Sequence, residues 1–196
     1  MKRILCYGDS NTYGYDPRSF LGDRYPADVR WTERLACDTG WEVLNAGQNG
    51  RCIPWRALEL AQADQLLDGC GGADLLAIML GSNDLLQTSG FTARDTAART
   101  ENFLWHLLVR SDVGAILLIS PPPMRTGAWV TEERLLTESA RLAREYEALA
   151  RRLGIRFADA GQWDVELVFD GVHFSEAGHR AFARGLRSLL ERADSL

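Results

Sequence analysis

The chain has 196 residues, of which 46% are hydrophobic and 25% charged; this fits one folded domain over residues 1–196 and excludes collagenous, mucin-like and broadly disordered chains. Acidic residues outnumber basic ones 27 to 22, a formal net charge of -5, so no cationic excess is available to neutralise a phosphate backbone, and no nucleic-acid partner is expected. Lys2 is the only lysine, which removes the lysine that a Walker-type phosphate loop needs after its glycines.

The first apolar run, Arg3 to Tyr7, reads as a buried strand and opens directly onto Gly8-Asp9-Ser10-Asn11, a tight turn able to hold a serine hydroxyl exposed. The segment Tyr13 to Trp31 mixes glycine, proline and aromatic residues too irregularly for a simple crossover helix and is expected to form a loop over the site. Glu42 to Ala46 reads as the second strand. It leads into Asn45-Ala46-Gly47-Gln48-Asn49-Gly50-Arg51, where glycine lets backbone N–H groups approach a ligand. Helical spacing over Arg56 to Leu67 precedes a third strand, Leu75 to Leu80, which ends in Gly81-Ser82-Asn83-Asp84 and offers an amide NH2 as donor. The fourth strand, Ala115 to Ser120, is followed by Pro121-Pro122-Pro123, a stiff run expected at a pocket rim. A helix over Glu132 to Leu153, closed by Gly154, leads to a fifth strand, Arg156 to Asp159. Asp170-Gly171-Val172-His173 then stands just before a last amphipathic helix, Ser175 to Arg192, with Ser175 as its cap.

Strand and helix alternate throughout, which predicts an α/β fold with a parallel sheet covered by helices on both faces. Ligands in such sheets bind outside the carboxyl ends of the strands. Four strand ends here bring a nucleophile, donors, a carboxylate and an imidazole. These are the parts of acyl transfer: Ser10 as nucleophile, His173 as its base, and Asp170 to orient the ring. The N–H of Ser10, a glycine N–H and the Asn83 side chain would hold the oxyanion. No metal or cofactor is needed. A non-catalytic module cradling an anion at Gly8 to Asn11 is the contrasting reading, but it would not require Asp170 and His173 three residues apart. The G-x-S-x-G elbow is absent, because Thr12 stands where its second glycine would be.

With GDSN, GSND and DGVH in this order, the chain resembles the SGNH (GDSL-type) hydrolase superfamily over almost its whole length. The resemblance implies a flavodoxin-like three-layer α/β/α sandwich with a five-stranded parallel sheet, and ester or thioester hydrolysis through an acyl-serine. It also selects Gly50 over Gly47, since the family's second block runs Asn, four residues, then Gly, aligning Asn45 with Gly50. Asn11 replaces the commoner leucine, but that position follows the nucleophile and removes no catalytic group. Similar members include intracellular aryl esterases, acyltransferases and sugar deacetylases, while others act on thioesters or lysophospholipids.

A chain this short carries no large lid to enclose a long acyl group, so short acyl esters are the expected substrates. Trp55 and Trp129 are the candidates for lining the substrate pocket. Asp9 and Asp84 are expected to bond local backbone, Cys52 to be a structural thiol, and His106 and His179 to have no catalytic role. No apolar run approaches the ~20 residues of a membrane span, and the N-terminal run is too short for an export signal. The four cysteines show no CxxC spacing, so free thiols in a cytoplasmic protein are expected. The expected partner is a small-molecule ester, with no membrane involved, and the tryptophan content permits a homo-oligomer.

Overall fold

All five apolar runs form strands: β1 (Arg3–Gly8), β2 (Glu42–Gly47), β3 (Ala73–Met79), β4 (Val113–Ser120) and β5 (Arg156–Asp159). The structure, a computed structural model, describes residues 2–19, 21–110 and 112–193. The strands pair in parallel in the order β2-β1-β3-β4-β5. Interior strand β1 places Leu5 between Leu44 and Leu76. Successive side chains of a strand face opposite ways, and both sets are apolar. Leu5 and Tyr7 join one core with Leu76 and Ile78, while Ile4 and Cys6 join the other with Leu75 and Ala77.

Helices cover both cores. The first face receives α3 (Ala57–Cys70), α5 (Ala93–Leu108) and α6 (Glu133–Leu153), through Leu67, Phe103, Leu104 and Tyr146 among others. The second receives α2 (Trp31–Thr39) and α7 (Glu176–Ala193), where Trp31 and Phe182 lie with ring centroids 4.7 Å apart. Ser175 accepts the Gly178 N–H at 3.0 Å ahead of α7, as its sequence position suggests. Two short helices, α1 (Ser10–Tyr13) and α4 (Ser82–Gln87), begin where β1 and β3 end. The chain leaves β1 for β2 on one side and returns to β3 on the other, so those two strand ends flank the point where strand order reverses.

The segment after α1 is irregular, as expected. It is pinned by an antiparallel bridge between Tyr15 and Arg24 and by buried Tyr25, whose hydroxyl donates to the Phe174 carbonyl at 3.2 Å. Phe20 of this segment lies outside the described residues. No helix among the described residues is long and apolar enough to cross a membrane.

Candidate active site

Ser10 opens α1, whose cap Asp9 accepts the Asn11 N–H at 3.0 Å. The Ser10 hydroxyl lies 2.9 Å from His173 Nε2, and His173 Nδ1 lies 2.7 Å from Asp170 Oδ2. The other Asp170 oxygen accepts the N–H groups of Val172 and His173 at 2.8 and 2.9 Å. Burial would raise the Asp170 carboxyl, but the hydrogen bonds from the His173 ring and these two N–H groups outweigh it and hold it below its ordinary value. An ionised carboxylate only accepts, so Nδ1 carries the ring proton and bare Nε2 receives the Ser10 O–H. All three side chains are buried.

Asp9 behaves differently. Burial pushes its carboxyl up to about 6, against the pull of the Asn11 N–H and of the Arg51 charge. Between the ordinary value of 3.8 and about 6 the folded protein holds a proton that the unfolded chain releases, so this group lowers stability as pH rises through that window. Asp9→Asn keeps an acceptor for the cap and removes the ionisation. It is expected to flatten the pH dependence and to raise stability at pH 8 by up to about 3 kcal/mol. Urea unfolding at pH 4 and pH 8 checks this; an unchanged difference between the two would contradict it.

The glycines of the second block divide their roles. A Cβ on Gly47 would lie 2.0 Å from the Tyr13 backbone nitrogen, so Gly47 lets β2 approach α1. Gly50 adopts φ of +72° and lines the cavity at Ser10. Arg51 ties this loop down. Its guanidinium stacks over Tyr7 at 4.2 Å, donates to the Gly8 carbonyl at 2.8 Å and also reaches the Ala46 carbonyl.

Asn83, in the first turn of α4, lines the same cavity. Its Nδ2 donates to the Arg51 carbonyl at 3.1 Å, and its Oδ1 accepts from Gln87 at 3.4 Å. One amide hydrogen is thereby anchored, leaving the second to meet a ligand. Asp84 is fully buried and accepts the Ile53 N–H at 3.0 Å and Arg99 at 2.7 Å. It therefore ties the distant Ile53 backbone and the Arg99 side chain to the start of α4.

The cavity encloses about 350 Å3 and is lined by Ser10, Tyr15, Asn49, Gly50, Asn83, Gln87, Trp129 and His173. Tyr15 and Trp129 both meet the His173 ring edge-on, each with centroids 4.9 Å away. Trp129 is positioned by its own N–H, which donates to the Asp170 carbonyl at 3.1 Å. Trp55 does not line this cavity, which corrects the expectation drawn for it. The guanidinium groups of Arg56 and Arg99 lie 4.7 and 5.1 Å from its ring, a cation–π arrangement that occupies the ring at the surface. Pro121 to Pro123 are likewise absent from the lining. Cys52 is near Gly50 and Gln87, and burial first, then Asp84, pushes its thiol up to about 12, leaving it protonated.

The sequence reading missed Tyr15, Gln87 and Arg51. Gln87 carried a legible signal, standing one helical turn after Asn83. Tyr15 carried none, because its place depends on how the irregular segment folds back.

The GDSL-like lipase/acylhydrolase family matches residues 6–181. The chain belongs to this family. Membership makes it an SGNH-type serine esterase. Among solved structures, the esterase is similar to an aryl esterase of M. smegmatis, at 30% identity and a TM-score of 0.85, covering 98% of this chain and 99% of that one. It is also similar to a carbohydrate acetylesterase family member from Sinorhizobium meliloti, at 29% identity and a TM-score of 0.86, covering 100% of each chain. A comparison of the esterase with curated proteins finds no match.

Proposed function

We propose that this esterase removes short acyl groups, acetyl foremost, from small esters including acetylated sugars, in a single domain and in the cytoplasm. The observation that carries the reading is the chain of 2.9 and 2.7 Å contacts from Ser10 through His173 to Asp170, opening on a cavity of about 350 Å3. As the Ser10 oxygen attacks the ester carbonyl carbon, His173 Nε2 takes the hydroxyl proton and Asp170 stabilises the imidazolium. The carbonyl oxygen becomes an oxyanion, held by the N–H groups of Ser10 and Gly50 and the free Asn83 amide hydrogen. The intermediate collapses, the C–O bond to the alcohol breaks, and His173 returns the proton to the departing oxygen. Water then repeats the sequence on the acyl-serine, and an alcohol that outcompetes water would receive the acyl group instead.

Size and polarity support the substrate class. The aromatic walls at Tyr15 and Trp129 leave room for a short acyl group. A second cavity of about 500 Å3 shares Gly50 and Gln87 with the first and is lined by Gln48, Arg51, Glu59 and Gln62 among others. It offers polar surface for a hydroxylated leaving group. A panel of esters from acetyl to octanoyl, with acetylated sugars beside it, tests the reading. The expected kcat/KM is highest for the shortest acyl groups and falls by about tenfold or more by octanoyl. An optimum at octanoyl or beyond contradicts it, and a stronger preference for thioesters or lysophospholipids would move the assignment to those substrates.

A further inference from the structure

We infer that Asn11 is a positioning residue for the base, an inference that rests on the acyl-serine reading above. Ser10 and His173 are 163 residues apart in the chain, so their contact depends on how the start of α1 and the segment ahead of α7 are held together. Asn11 spans that junction. Its Nδ2 donates to the Val172 carbonyl at 3.1 Å and its Oδ1 accepts the Phe174 N–H at 2.9 Å. The two bonds grip the residues on either side of His173.

The donor and acceptor of the amide match a carbonyl and an N–H in one orientation only, which fixes the side chain. The backbone of Asn11 is also held: its N–H donates to Asp9 at 3.0 Å, and its carbonyl accepts the Trp31 indole N–H at 3.0 Å. With 5% of its surface exposed, the amide works without competition from bulk water. A leucine here, as in the GDSL pattern, makes neither side-chain bond. The asparagine of GDSN therefore sets the approach of Nε2 to the Ser10 hydroxyl by fixing the backbone from which the imidazole hangs.

The test measures kcat, KM and the rate of labelling by an organophosphonate for wild type, Asn11→Ala and Asn11→Asp, with circular-dichroism melting to establish folding. A displacement of about 1 Å in a catalytic group costs about 100-fold, and that loss is expected in the kcat of Asn11→Ala, with KM changed by no more than about twofold. Asn11→Asp keeps the acceptor for Phe174 but sets a buried carboxylate oxygen against the Val172 carbonyl, so a loss at least as large as that of Asn11→Ala is expected. It carries the test if Asn11→Ala does not fold. In the His173→Ala background, Asn11→Ala should change the residual labelling rate by less than about twofold, because no base remains to be positioned.

Wild-type kcat and labelling in either folded variant would overturn the inference. So would an equal fractional loss with and without His173, which would mark Asn11 as a general structural residue. Folded wild-type protein showing neither ester hydrolysis nor labelling would overturn the acyl-serine reading itself, a failure visible before any Asn11 variant is compared.

Discussion

Ser10→Ala and His173→Ala are each expected to fold as the wild type does and to lose kcat by about 10^4- to 10^6-fold, and the double variant should lose little more than either single one. The geometry accounts for both size and non-additivity. The Ser10 hydroxyl is a weak nucleophile until its proton can pass to His173 Nε2, 2.9 Å away, so removing either partner removes the same step. Folding should survive because the aromatic contacts of His173 are edge contacts with Tyr15 and Trp129, and Asp170 retains the Val172 and His173 N–H groups as partners. Intact-mass analysis after organophosphonate treatment, beside steady-state kinetics, checks the prediction. Stoichiometric labelling of wild type that disappears in Ser10→Ala is the expected result. Near-wild-type activity in either variant would end the mechanism.

Asn83→Ala is expected to cost about 100- to 1000-fold in kcat with little change in KM, because the lost donor acts on charge that develops only in the transition state. The anchoring of one amide hydrogen at the Arg51 carbonyl, 3.1 Å away, keeps the other directed without reorganisation during reaction. Asn83→Asp is expected to be at least as damaging. It preserves the size of the side chain but presents acceptor oxygens to the oxyanion and to the Arg51 carbonyl. Kinetics of both variants on an acetyl ester, with unfolding curves as controls, provide the measurement; a rise in KM at constant kcat would assign Asn83 to ground-state binding instead.

The sheet was legible because parallel strands buried on both faces write themselves as short continuous apolar runs. All five runs became strands, with their starts displaced where the signal was weak: β3 begins at Ala73 and β4 at Val113, ahead of the most apolar stretches. Ser10, Asn83, Asp170 and His173 were legible for a related reason, since each follows a strand or precedes a helix and the rule for open sheets says where such positions meet; Gly50 was singled out from Gly47 by the family resemblance alone. The structure brings all five to one place.

Trp55 and Trp129 looked alike in sequence, and only packing separated them. Trp129 is drawn to His173 by its backbone bond to Asp170, whereas Trp55 is occupied by two arginines. Asn11 was dismissed on its type and position along the chain, yet its partners stand at Val172 and Phe174.

What the sequence determined alone is therefore the strand pattern, the residue types of the site and their order, because hydrophobic period and turn chemistry are local. What only the tertiary structure decided is which side chains converge beside His173 and what holds them there. Those contacts join segments as far as 163 residues apart, and their geometry follows from the packing of whole layers, which no local signal encodes.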